Sequence, residues 1–334
     1  MGRYVARRVL QFIPVILGTL FLLHLLSTLT IQIVGDPVRA LFGENAPPAS
    51  VIAQMQADYN LDDPCLQQTG NPCLGLFVDR LGQYAQFDFG VNFRGRPITE
   101  LFVERFPVTV RLTVIALVFE AVVGILLGIL AGLRKDRFAD NLVRFSTVLL
   151  IAFPVFVFGT LAQLLLGLQV GLRIRESSWA PDWLGQMLNV GYNADYPWLS
   201  LTLPGLVLGA FSLAAIARLT RTSLIENLRS DYVRTARAKG LTTRRVVGVH
   251  TLRNSLIPVV TYIGIDIGLL LGGALVTEGI FNIPGVGQLV FLAIRANDTP
   301  VIVGVVTLLT IVFLVANLLV DIFYAALDPR IRYE

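Results

Sequence analysis

The chain has 334 residues, of which 54% are hydrophobic and only 15% charged, whereas an average soluble domain is about a quarter charged. Several of its apolar runs exceed the roughly 18 residues that mark a membrane span, which excludes a soluble enzyme and a disordered chain. It also argues against a membrane β-barrel, whose strands alternate in segments of about ten residues. The 27 Lys and Arg against 23 Asp and Glu are read as a mark of membrane topology, not of nucleic-acid binding.

In chain order, six stretches predict an all-α polytopic membrane protein with six transmembrane helices. They run over about Val9–Val34, Val108–Leu133, Leu142–Leu172, Trp198–Ala217, Leu256–Leu275 and Val301–Leu327. Each is long enough to cross about 30 Å of hydrocarbon. Arg3, Arg7 and Arg8 precede the first run, as in a signal peptide. The run is far longer than an h-region of about 7–15 residues and no A-x-A site follows, so it is read as an uncleaved helix. With the N-terminus inside, inner segments hold 18 Lys or Arg and outer segments hold eight. That asymmetry predicts both termini inside.

This divides the chain into an N-terminal helix (1–34), an extracytoplasmic cap (35–107) and a core of five spans (108–334) that contains an inner loop at 218–255. Cys65 and Cys73 both lie in the cap, on an oxidising side that permits a disulfide; two free thiols are the alternative. A metal site is not expected, because His24 and His250 lie far from the cysteines and Zn²⁺ would lack nitrogen partners. No phosphate loop exists: neither Lys135 nor Lys239 follows a glycine. There is no H-E-x-x-H, no nucleophile elbow and no potassium filter. Enzymatic chemistry is therefore not expected of this chain.

The inner loop is the most informative segment. Ser230 is a good N-cap and Asp231 suits the first turn of a short helix. Gly240 suits the left-handed position that ends it. Thr242 or Thr243 then caps a second short helix carrying Arg244 and Arg245. The result is an elbow, kept small-sided by Ala236, Ala238 and Gly240 so that another protein surface can approach. The alternative is an ordinary positive-inside loop with solvated charges.

Within the spans, Asp266 and Glu120 stand out, since a carboxylate at the bilayer centre costs about 2.5–3.5 kcal/mol on insertion scales. They are candidates for the translocation pathway or, alternatively, for buried hydrogen bonds between helices. His24 reads as a packing residue. Gly124, Gly128 and Gly132, spaced every fourth residue, predict a close helix–helix approach.

The segment Asp231 to Leu241, D-Y-V-R-T-A-R-A-K-G-L, resembles the cytoplasmic loop of binding-protein-dependent ABC transporter permeases, in particular the B-type subunit of the dipeptide/oligopeptide family. The resemblance extends over nearly the whole chain. It includes Met1 to Pro14; Phe87-Asp88-Phe89-Gly90 with Arg105-Phe106-Pro107-Val108-Thr109; Glu278-Gly279-Ile280-Phe281 with Pro284-Gly285-Val286-Gly287; and Leu327 to Arg332. It implies that Arg234, Thr235, Ala236, Arg237, Ala238, Lys239, Gly240 and Leu241 form a coupling helix that docks on an ATPase. Ala236 and Gly240 match the general E-A-A-x-x-x-G pattern; Arg234 and Thr235 replace its glutamate and first alanine, and its later proline appears only as Pro258. The implied partners are a second homologous permease, two ABC ATPase subunits that carry ATP and Mg²⁺, an extracytoplasmic peptide-binding protein and the bilayer, with no nucleic acid. The competing expectation is a secondary transporter of a small polar solute driven by an ion gradient.

Overall fold

The computed structural model describes residues 2–35, 38, 48–59 and 61–327. Arg39 and the C-terminal motif from Asp328 to Arg332 lie outside the described residues. The described residues are mostly helical and form no strand. The chain divides into two units, Met1–Pro107 with Pro284–Glu334, and Val108–Ile283. Among the described residues five helices are long and apolar enough to cross a membrane, or up to seven spans if each of two bent helix pairs counts as one.

The first unit is built on α1 (Gly2–Val34), which packs along α11 (Thr299–Leu327). Between them in sequence come α2 (Ala49–Asp58), a 3₁₀ turn at Pro64–Gln67 and α3 (Leu74–Ala85). The sulfurs of Cys65 and Cys73 are bonded, with their Cα atoms 5.6 Å apart. The Gln32 side chain of α1 holds this loop from both ends of its amide: Nε2 donates to the Asn71 carbonyl (2.9 Å) and Oε1 accepts from the Gly70 N–H (2.9 Å). Leu66, Cys73 and Leu76 close a small core against Ile31 and Leu61. The helix α10 (Val286–Arg295) packs on α11.

The long helix α4 (Ile98–Leu133) runs from the first unit into the second. It begins ten residues earlier than the expected span, so the end of the segment expected to be cap is helical. The second unit continues with α5 (Phe138–Ala152), α6 (Val155–Ala162), α7 (Thr202–Leu228), α8 (Asp231–Ala238) and α9 (Ile257–Phe281). The stretch from Leu142 to Leu172, expected as one helix, is broken at Phe153–Pro154, where both residues are extended. Proline lacks an N–H and drives the preceding residue out of the helical region. Beyond α6 the helix widens into a π-helical stretch at Gln163–Val170.

The core of this unit is formed by Leu112 and Ala116 of α4, Leu203, Val207 and Leu208 of α7, and Leu270, Ala274 and Phe281 of α9. Glycine sets how closely α4 meets α7. A Cβ on Gly128 would lie 2.6 Å from the Ala217 carbonyl oxygen, and one on Gly209 would lie 2.6 Å from that of Ala116. One on Gly124 would lie 2.8 Å from Ile216 Cγ2. The every-fourth-residue glycines thus serve the close approach read from their spacing. The fourth stretch also outruns its expected end: α7 reaches Leu228 and takes up the start of the loop assigned to 218–255.

Candidate functional site: the elbow after α7 and the polar groups buried above it

The elbow forms where the sequence places it. Ser230 is the N-cap of α8, although its hydroxyl donates to the Asn227 carbonyl (2.5 Å) and does not cap an N–H. Gly240 has φ +78°. Around it the Gly240 N–H donates to the Arg237 carbonyl (2.9 Å) and the Leu241 N–H to the Ala236 carbonyl (3.3 Å). These two bonds are the Schellman closure, and only glycine adopts the required left-handed conformation without steric cost. The accompanying hydrophobic contact is also present: Val233, Ala236 and Val246 pack together with Leu241 against them. Thr242 then opens a short turn at Thr243–Arg245, followed by a π-helical stretch at Val246–Thr251 and a turn at Leu252–Ser255.

Ala236 therefore fills the inside of the elbow and is not part of a small-sided outer surface. Arg234, Thr235, Arg237, Ala238, Lys239 and Gly240 are exposed, and Leu241 is half-buried. Arg234 pairs with Asp231 at 3.2 Å on the surface. Such an exposed pair contributes little to stability and leaves the cationic side chains available. The Tyr232 hydroxyl donates to Asn227 Oδ1 (2.7 Å), and Ser255 Oγ lies 3.5 Å from the Ser223 carbonyl. Both ties fasten the elbow to the end of α7.

Just before those ties on α7 sits an ion pair that sequence reasoning missed. Arg221 Nε and Nη2 donate to Asp140 Oδ1 and Oδ2 at 2.5 and 2.7 Å. The Asp140 side chain is fully buried, and its Oδ2 also accepts the Asp136 N–H at 2.9 Å. The guanidinium beside it holds the Asp140 carboxyl below the usual carboxylate range, against the opposing pull of burial. The pair joins the start of α5 to the last turns of α7. Its signal in the sequence was faint, because Arg221 was one of nine basic residues in a basic loop.

Asp266 and Glu120 are brought together. Both are buried, at 1% and 0% exposure, and their carboxyl groups face one another between α9 and α4. Ser212 of α7 donates to Asp266 Oδ1 (2.9 Å). Beyond the facing carboxyl, Asp266 Oδ2 and both oxygens of Glu120 have no protein hydrogen-bond partner. A second buried bond links two of the quoted motifs: Thr109 Oγ1 donates to Glu278 Oε1 at 2.6 Å. In the first unit Arg105 Nη1 likewise donates to Gln288 Oε1 (3.3 Å). His24 serves packing, since its Nε2 meets the Pro72 carbonyl (3.2 Å) and its ring lies 5.2 Å from Phe77. Among the described residues no group of His, Cys, Asp or Glu is arranged to hold a metal ion.

Residues 124–333 match the family described as binding-protein-dependent transport system inner membrane component. This chain belongs to that family. The permease is also 36% identical over 336 residues to the glutathione transport system permease protein GsiC of Escherichia coli (strain K12), covering 100% of both chains. It is 37% identical over 348 residues to the dipeptide transport system permease protein DppB of Haemophilus influenzae, again with 100% of both covered. It is thus a multi-pass membrane component of a transport system, in agreement with its apolar helices.

The buried ion pair yields a test on the permease itself. Asp140→Asn leaves Arg221 without its counter-charge, and breaking such a pair costs about 3 kcal/mol or more. Because the Asp140 pKa is lowered on folding, its contribution is fully present above the unfolded pKa of about 3.9 and is lost as pH falls through the lower folded value. The expected outcome is a melting-temperature gap between wild type and Asp140→Asn that stays constant from about pH 8 to 5 and narrows below about pH 4. A gap that is absent at neutral pH contradicts the structural role of the pair.

Proposed function

We propose that this permease is one membrane-spanning half of an ATP-driven importer of di- or oligopeptides. It carries six spans with both termini inside, an extracytoplasmic cap before α4 and a cytoplasmic coupling elbow between α7 and α9. The observation that carries this reading is the Gly240-locked elbow, which presents Arg234, Arg237 and Lys239 to solvent and is itself tied to the end of α7. Two relatives bear names of glutathione and dipeptide transport systems, which supports a peptide-like cargo. The bonded Cys65–Cys73 pair supports an oxidising side for the cap.

In this reading two ATPase subunits bind ATP and Mg²⁺, and the elbow docks in a groove on one of them. A second homologous permease completes the pathway, and an extracytoplasmic peptide-binding protein delivers cargo. The permease supplies a helix bundle with two arrangements, biased through the elbow. Asp266 and Glu120 line the pathway only in an arrangement that opens the core between α4, α7 and α9, where their unused oxygens would meet the cargo's N–H groups. The same buried carboxyls favour a second reading, a carrier driven by an ion gradient. Uptake that survives an uncoupler and stops without ATP favours the importer.

Two substitutions test the assignments. Gly240→Val puts a β-branched residue at positive φ, at a local cost of about 1–2 kcal/mol. It is expected to leave the permease in the membrane and to abolish substrate-stimulated ATP hydrolysis by the assembled complex; unchanged stimulation sinks the elbow assignment. Asp266→Asn is expected to alter the rate for at least some peptides, and transport of every tested peptide at the wild-type rate removes Asp266 from the pathway.

A further inference from the structure

A cavity of about 260 Å³ opens within the first unit. Pockets for drug-sized ligands occupy about 300–1,000 Å³, so this one has room for a small ligand. Its wall brings together Arg80 and Tyr84 of α3, Tyr59 after α2, Ser27 of α1 and Thr299 at the start of α11, with Asp88 at the exposed side.

Arg80 is the unusual member. Its Nη1 donates to Ser27 Oγ (3.1 Å) and contacts His24 Nδ1 (3.2 Å). His24 Nε2 faces a carbonyl, that of Pro72, at 3.2 Å. A carbonyl only accepts, so the ring proton belongs on Nε2 and Nδ1 is left as an acceptor for the guanidinium. Both partners of Arg80 are therefore neutral. Among the described residues no carboxylate pairs with it. Burial draws its pKa down, yet an arginine side chain stays charged at any working pH. A guanidinium has five N–H donors in a planar fork, and the edge formed by Nε and Nη2 makes no bond to the described residues. That edge matches a carboxylate, which it binds with two parallel hydrogen bonds.

The opposite charge stands on the same cavity. Asp88 Oδ1 accepts the Gly90 N–H (2.9 Å), and Oδ2 makes no bond to the described residues. The walls between are fixed in place. The Tyr84 ring stacks on Phe89 at 5.0 Å, and the Tyr59 hydroxyl donates to the Asn92 carbonyl (2.8 Å). The absence of a side chain at Gly304 lets α11 come close: a Cβ there would lie 2.8 Å from both the Phe89 carbonyl oxygen and Ile98 Cδ1. A preorganised site binds more tightly than one that must be ordered by its ligand.

We propose that this cavity binds a zwitterion of amino-acid to dipeptide size, with its carboxylate on the open edge of the Arg80 guanidinium and its ammonium on Asp88. The site deepens the peptide-importer reading and rests on it for the choice of a short peptide as ligand. It would hold cargo on the extracytoplasmic side, apart from the buried carboxyls of the second unit.

The test uses the full chain with its co-purifying subunits in nanodiscs, without a binding protein, and titration calorimetry with L-alanyl-L-alanine and its C-terminal amide. The free acid is expected to bind at least tenfold more tightly than the amide. Arg80→Gln is expected to erase that preference, and Val303→Phe, which puts a larger side chain at a cavity-lining position of α11 and leaves Arg80 in place, to abolish binding. Equal binding of acid and amide by the wild type, no binding of either, or a preference that survives Arg80→Gln overturns the site. Should Arg80→Gln fail to fold, the wild-type comparison and Val303→Phe still decide. Proteoliposomes from the same preparation, with binding protein added, separate this proposal from the importer reading. ATP-driven dipeptide uptake with equal acid and amide binding overturns the site alone. A tenfold acid preference that is lost in Arg80→Gln, with uptake driven by an ion gradient, supports the site and overturns the importer.

Discussion

The close approach of α4 and α7 is the constraint on which the second unit depends. Gly124 and Gly128 on one helix and Gly209 on the other leave no space for a Cβ, and backbone carbonyls of each helix lie where those Cβ atoms would be. In a bilayer there is no hydrophobic drive between helices, so association rests on such packing and on hydrogen bonds. With α7 seated in this way, its first half fills the core and its last turns carry the attachments of the elbow. A displacement of the elbow therefore acts on the most deeply packed helix of the unit.

The polar residues follow the same logic at different depths. Each buried ionisable group needs a partner or is costly. Asp140 has Arg221 on both oxygens, and Glu278 has Thr109. Asp266 is half provided for by Ser212, and Glu120 has only the facing Asp266 carboxyl. The fully bonded groups hold helices together. The incompletely bonded pair lies between α4 and α9, and it is there that a second arrangement would gain most from new donors. Arg80 in the first unit shows the complementary case, a half-buried cation whose partners are neutral.

Much of this was legible in the sequence, for identifiable reasons. Long apolar runs gave the first, second and last helices, because in hydrocarbon a spanning chain must satisfy its own backbone. The elbow was legible at Gly240 because a left-handed helix end needs glycine. Whether Pro154 kinks the third stretch or starts a new helix was left open by the sequence, since a proline inside an apolar run marks either and only packing decides; it starts one. Pair partners distant in the chain, such as Arg221 with Asp140 or Thr109 with Glu278, left no local pattern. Ala236 was read as outward-facing because its small size suits either side of a helix. Its neighbours Val233 and Val246 determine that it faces in.

The most direct test of the assignment is what the chain holds on to. It should be tagged at its native locus, purified in mild detergent and analysed for co-purifying proteins by mass spectrometry. An importer subunit predicts recovery of a second, homologous permease together with ATPase subunits that carry a phosphate loop. Recovery of the chain alone or as a homo-oligomer, with no ATPase in several detergents, would contradict it.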